Sequence, residues 1–179
     1  RFDKARVKLL QHRAGRPRPL LDDKIILGWN ALMNTAASKA FGATGIEEYR
    51  QLAIGNMRFL LEAFRAPDGW HHTWKKGEAK YPAFLDDLAF LIEALIQLQE
   101  ITADTQWLDR AAEITKELQQ AFREEGTPFF YYTPLGQEDV IVRKKEVYDG
   151  ALPSGNAVMA DNLYRLGILL DRADWKEQS

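Results

Sequence analysis

No cysteine occurs among the 179 residues, which removes disulfides, thiolate nucleophiles and cysteine zinc sites from consideration. No apolar run approaches the roughly 18 residues that span a bilayer. Nor does a charged start lead into an apolar stretch, as a signal peptide requires, so a cytoplasmic protein is expected. An excess of one charge is missing too: the net charge of −2 argues against a nucleic-acid partner, which calls for a strongly basic surface. Basic residues do crowd the beginning (Arg1, Lys4, Arg6, Lys8, Arg13, Arg16 and Arg18), and they read as a solvated helix face running into a linker rather than a phosphate-binding patch. Walker loop, dinucleotide fingerprint, HExxH and metal-ligand cluster are all lacking, so no cofactor and no metal is expected.

What is present suits a packed domain: 46% of residues are hydrophobic and 28% charged, enough to build a core and keep it soluble. Hydrophobic period predicts five helices. Residues 22–41 are apolar on nearly every side (Ile25, Ile26, Leu27, Trp29, Leu32, Met33), which predicts a buried helix stopping at Gly42 and Gly45. Residues 47–64 carry one apolar stripe (Tyr49, Leu52, Ala53, Met57, Leu60, Leu61, Phe64) and belong on an outer surface. Residues 85–102 are again apolar all round, residues 106–122 amphipathic, and residues 154–170 apolar. That alternation predicts two concentric helical layers.

A repeat of about sixty-three residues underlies it. Asp22-Asp23 recurs as Asp86-Asp87, and Trp29-Asn30-Ala31-Leu32-Met33 as Gly155-Asn156-Ala157-Val158-Met159, which sets Asp149 in register with Asp23. After each outer segment comes an aromatic run, Trp70 to Trp74 and Phe129 to Tyr132, followed by Lys76-Gly77 or Pro134-Leu135-Gly136, and each reads as a short β-hairpin. Residues 1–21 read as the end of a preceding outer helix plus linker, and 22–84, 85–148 and 149–179 as successive repeats. Asp174-Trp175-Lys176 would begin a third outer helix. The chain opens on Arg1 rather than Met and stops just after a helix-like run, so both ends are expected to be cuts. In stacked hairpins all inner-helix N-termini share one end, so Asp22, Asp23, Asp86, Asp87, Asp149, Trp70, His71, His72, Trp74 and the Phe129 to Tyr132 run should gather at one mouth.

Three stretches carry a resemblance. Arg16-Pro17-Arg18-Pro19 with Leu21-Asp22-Asp23-Lys24-Ile25-Ile26 and Trp29-Asn30-Ala31-Leu32, then Ala83-Phe84-Leu85-Asp86-Asp87-Leu88-Ala89-Phe90, then Asp149-Gly150-Ala151-Leu152-Pro153-Ser154-Gly155-Asn156 resemble the YyaL-type, spermatogenesis-associated, thioredoxin-domain-containing proteins. The resemblance implies an all-α fold, an α/α toroid of six-hairpin glycosidase-like kind, similar to N-acylglucosamine 2-epimerases, with about half of the barrel in this chain. It also implies two partners in the longer protein: the rest of the toroid and a thioredoxin-like domain.

Two functions are open on these residues. One is a carbohydrate-active or carbohydrate-binding toroid, a sugar epimerase or glycoside hydrolase. Asp23, Asp87, Asp149 and His72 would be its catalytic acids and bases, and Asp22, Asp86, Asn30, Asn156, Trp70, Trp74 and His71 its sugar contacts. The other is a non-catalytic helical scaffold for a protein or small ligand, in which the aspartates only cap helices, Asn30 and Asn156 tie helices together, and Ser154 is an N-cap. Open flanks around Ile25, Ile26, Leu163 and Leu166 would favour self-association. The best-formed pocket is expected at the mouth, touching at least two of Asp23, Asp87, Asp149, Trp70 and His72.

Overall fold

The computed structural model describes residues 2–137 and 140–179; Arg1, Glu138 and Asp139 lie outside them. Helix α1 (Phe2–Ala14) buries none of its residues, so its basic positions from Lys4 to Arg13 are solvated. The first inner helix, α2 (Leu27–Thr44), starts five residues later than the sequence predicts. The cause is the β-branched pair Ile25–Ile26, which forms strand β1 against Trp74 and Thr73 and holds the chain extended. Asp22 and Asp23 therefore precede the helix and cap nothing in it. Helix α2 ends at Gly45, whose left-handed backbone (φ 69°) lets its N–H bond the Phe41 carbonyl.

Helix α3 (Glu47–Ala63) opens on two glutamates, favourable at the positive end of a helix. Strands β2 (Arg65–Ala66), β3 (Gly69–Lys75) and β4 (Glu78–Pro82) follow, with β3 central. Lys76 and Gly77 both have positive φ (51° and 85°), the backbone of a two-residue hairpin turn. This first hairpin is the one the sequence predicts. The second is not: between α5 (Gln106–Phe122) and α6 (Gly155–Leu169), the described residues hold only an isolated bridge, Arg123 with Phe130. Pro128 and Pro134 cannot donate to a ladder, and other partners take over. Arg143 donates to the Thr133 and Ala121 carbonyls, and buried Asn156 accepts from Phe130 N and donates to Phe130 O.

Helices α2, α4 (Leu85–Thr102) and α6 form the inner layer, with α3, α5 and α7 (Ala173–Gln178) outside. Eleven of the 18 residues of α4 are buried, against three of 17 in α3 and six of 17 in α5, so the layers fall as predicted. Each fully buried Leu, Ile or Phe of α4 contributes about 1.5–3 kcal/mol, which makes α4 the spine of the core. Its sequence is apolar all round because it has neighbours all round.

Helix α2 has the same composition but not the same cover: Trp29 and Met33 are 64% and 65% exposed. The predicted open flanks are corrected as well. Leu163 and Leu166 are buried, and Ile25 and Ile26 are half-buried in β1. The turn from α6 into α7 brings buried Trp175 against the core, so the exposed apolar side of α6 is instead Tyr164 and Ile168.

Candidate functional site

The inner helices share one orientation, because their N-termini meet on a single aspartate pair. Asp87, in the first turn of α4, is buried. Its Oδ1 accepts from Gly28 N at the start of α2 (2.9 Å), and its Oδ2 from Phe84 N just before α4 (3.0 Å). His72 on β3 approaches the same Oδ2 through Nδ1 at 2.7 Å. Asp86 points the other way, and its Oδ1 accepts from Gly155 N at the start of α6 (2.9 Å). One adjacent pair thus binds both neighbouring helices. Free N–H groups at a helix start need acceptors, and here the next helix supplies them.

The two carboxyls differ in bonding. Burial pushes the Asp86 carboxyl up to about 6; the Gly155 N–H works against this, and the nearby charges of Glu146 and Asp87 add to it. Among the described residues its Oδ2 has no hydrogen-bond partner. His72 is raised above its ordinary value by the bond to Asp87. Its ring lies edge-on to Phe84 (4.9 Å), which stacks on Tyr132 (4.9 Å, 12°). Burial, with Asp86, Glu146 and Asp87 nearby, pushes the Tyr132 hydroxyl up to about 12. Asp86, Asp87, His72, Phe84 and Tyr132 therefore form one cluster at the inner-helix N-termini.

Other residues of the predicted mouth bond to groups outside this cluster. Asp23 pairs with Lys75, which lowers its pKa, and Asp22 pairs with Lys24. Asp149 is exposed, and its Oδ1 accepts from Ser154 N (2.9 Å). Ser154 caps α6 by accepting from Ala157 N. The Trp70 indole donates to Glu117 on α5 (2.9 Å), and Trp74 sits edge-on to Phe59 of α3, so both pack over outer helices. His71 turns to Asp68 (3.5 Å). Asn30 donates to its own helix at Ile26 O, and Asn156 holds Phe130.

A well-formed cleft of about 550 Å³ lies elsewhere, between the first hairpin and α5. It is lined by Arg65, Asp68, Trp70, Glu117 and Gln137 among others, and of the five mouth residues it touches Trp70 alone, which corrects the predicted pocket. Tyr132 belongs to the aromatic run expected at the mouth, whereas Phe84, which stacks on it, was not singled out in the sequence. Among the described residues no group of three or more His, Cys, Asp or Glu is placed to hold a metal. No helix there is long and apolar enough to cross a membrane.

No protein-family model matches the chain. Spermatogenesis-associated protein 20 of Rattus norvegicus is 32% identical over 96% of this chain, and an uncharacterised protein of Caenorhabditis elegans 30% identical over 99%. The chain spans about a quarter of the length of these relatives. Among solved structures, cellobiose 2-epimerase from Bacillus thermoamylovorans is similar over 87% of this chain and 42% of its own, at 17% identity and a TM-score of 0.71. An α-1,6-mannanase of a Salegentibacter species is similar over 98% of this chain and 49% of its own, at 12% identity and a TM-score of 0.69. It is an inactive variant with two consecutive aspartates replaced by asparagine, in complex with α-1,6-mannotriose. The chain is similar to one segment of spermatogenesis-associated protein 20, and it has the α/α toroid fold of the matched parts of the cellobiose 2-epimerase and the mannanase.

Proposed function

We propose that this chain supplies the mouth of a carbohydrate-processing toroid in which Asp86 is the proton-exchanging carboxyl. The observation that carries the reading is a half-buried carboxyl with one oxygen unbonded among the described residues, beside the fully bonded Asp87. A carboxyl whose pKa burial raises to about 6 and that keeps one oxygen free can give a proton to a glycosidic oxygen, or take and return one beside a sugar carbonyl. Asp87, with both oxygens engaged, fixes the helix ends and His72 rather than meeting substrate. The inactive mannanase variant, altered at two consecutive aspartates, supports attention to such a pair. Epimerisation and hydrolysis share this requirement, and Asp86 suits both.

A second reading rests on a specific observation. The Asp86, Asp87 and Asp149 carboxyls all accept backbone N–H groups, as they would in a non-catalytic scaffold. The test is the full-length protein with a panel of mono- and oligosaccharides, followed by calorimetry for binding and NMR for product. The enzyme reading expects binding and turnover, with turnover lost in Asp86→Asn while binding remains. Saccharide binding without turnover in any member of the panel would favour the scaffold.

A further inference from the structure

Asp86 is not alone at the mouth in keeping carboxyl oxygen unbonded. Glu146 lies in the irregular segment between α5 and α6 and is exposed, and its side chain makes no hydrogen bond or ion pair among the described residues. Two of its basic neighbours are engaged elsewhere: Arg143 bonds the Thr133 and Ala121 carbonyls, and Lys145 pairs with Glu124. An exposed, unpaired glutamate is ordinary on a protein surface. What sets this one apart is how its backbone is held.

Leu85 N–H donates to the Tyr132 carbonyl (2.9 Å), and Tyr132 N–H donates to the Lys144 carbonyl (2.7 Å). Two residues on, the Glu146 carbonyl accepts from the Asn156 amide (2.9 Å), and Gly155, next to Asn156, donates its N–H to Asp86 Oδ1 (2.9 Å). These four bonds close a circuit that begins and ends at Leu85–Asp86. They fix an otherwise irregular segment beside the half-buried carboxyl, and the charge of Glu146 reaches both Asp86 and the Tyr132 hydroxyl. Two carboxyls from separate elements, an inner helix and a loop, thus serve one site. Glycoside cleavage needs such a pair, one to protonate the leaving oxygen and one to take the proton of the attacking water. Asp87 is not available as the second, because both its oxygens are engaged.

We propose that Glu146 is the general base that partners Asp86, which makes the mouth a glycoside-cleaving site rather than an epimerising one. Asp86 gives its proton to the glycosidic oxygen as the bond from that oxygen to C1 breaks. Glu146 takes a proton from a water whose oxygen bonds C1 from the opposite face, and exchange with solvent then restores both carboxyls. The product is inverted at C1. This deepens the carbohydrate reading and rests on the role of Asp86 in it.

The experiment uses the full-length protein, Glu146→Gln, Glu146→Ala and Asp86→Asn with cellobiose and α-1,6-mannotriose. NMR follows cleavage, the configuration of the new anomeric centre and any epimer. Expected are cleavage of at least one saccharide by wild type with inversion, and loss of cleavage in Asp86→Asn. In Glu146→Gln kcat should fall about a hundredfold or more, with KM and the melting temperature unchanged, since the backbone carbonyl and not the side chain makes the bond to Asn156. Azide should restore turnover in Glu146→Ala and appear in the product as a glycosyl azide of inverted configuration, which a merely structural role would not produce. An undiminished rate in Glu146→Gln, retained configuration, or epimerisation without cleavage each overturns the Glu146 base and leaves the carbohydrate reading standing. Lost cleavage with a lowered melting temperature and no rescue by azide overturns it as well, by making Glu146 structural. If wild type converts neither saccharide, both fall together.

Discussion

Asp86 and Asp87 are adjacent in sequence and differ in bonding: Asp87 has both oxygens engaged, Asp86 one. Removing the Asp87 carboxyl orphans Gly28 N, Phe84 N and the His72 ring at once. Asp87→Ala should therefore cost about 3–5 kcal/mol, read as a large fall in the denaturation midpoint. Asp86→Asn should do the reverse at neutral pH, because an amide keeps an acceptor for Gly155 N without burying a charge. The pH dependence follows from the same environment. A carboxyl whose pKa rises from 3.8 to about 6 on folding holds its proton more tightly in the native state. Its contribution to stability is full below 3.8 and lost as pH climbs through 6. His72, also raised, acts in the same sense, full below its ordinary 6.5 and lost as pH passes its higher folded value. Thermal melts across pH 4–8 should show stability from these two groups falling with pH, the lower part of the fall absent in Asp86→Asn. A wild-type profile with the same slope as Asp86→Asn between pH 4 and 6 would contradict this. The paired aspartates stood out in the sequence, but which of the two was free did not, because that depends on Gly28 and Gly155, 59 and 69 residues away.

Close approach at those two glycines sets how the inner helices meet. A Cβ on Gly28 would stand 2.8 Å from Asp87 Oδ1 and 3.3 Å from its Cα, and one on Gly155 would stand 2.4 Å from Asp86 Oδ1 and 2.8 Å from Leu85 Cγ. Gly28→Ala and Gly155→Ala should each cost about 1–3 kcal/mol through overpacking. Gly55→Ala, in the exposed middle of α3 with nothing within 4 Å of the added carbon, should gain about 0.5–1 kcal/mol from helix propensity. Urea denaturation of the three variants checks the contrast; equal effects at all three sites would remove the close-approach argument. These glycines also show where the sequence repeat misleads. Aligning Trp29-Asn30 with Gly155-Asn156 matches identities, yet the N–H groups that the aspartate pair holds belong to Gly28 and Gly155, one residue out of step. Asn30 accordingly bonds within its own helix while Asn156 anchors a loop. Helix existence and layer were legible from the 3.6-residue period. The start of α2 and the second hairpin were not: Ile25–Ile26 fits a helix or a strand equally by pattern, and Arg143 and Asn156 supply bonds that no local pattern reveals.

Across the whole chain, apolar surface remains on two inner helices, Trp29 and Met33 on α2 and Tyr164 and Ile168 on α6. A helix's composition records what covers it in the complete fold. That is why α2 reads as buried in sequence and stands half open here, while α4, with neighbours on either side, agrees with its sequence. Cellobiose 2-epimerase and the mannanase match this chain over less than half of their own lengths. A ring of six hairpins at the observed repeat needs roughly 380 residues, above the size at which single cores readily grow. The surfaces of α2 and α6 are where further helices of such a ring would pack. Expressed alone, the 179-residue chain should associate through them, since paired exposed aromatics and aliphatics lose about 25 cal/mol per Å² of unfavourable hydration when they meet. Light scattering coupled to size exclusion should give a mass above the 20.5 kDa of one chain, growing with loading concentration. The double variant Met33→Ser, Ile168→Ser should return it toward the monomer without changing the far-UV circular dichroism. The two substitutions lie on opposite flanks, so if association is head to tail between α2 and α6, either one alone should lower the mass almost as much as both. If each flank instead pairs with its own kind, only the double variant should reach the monomer. A wild-type chain monomeric at every concentration would show that neither flank is an interface.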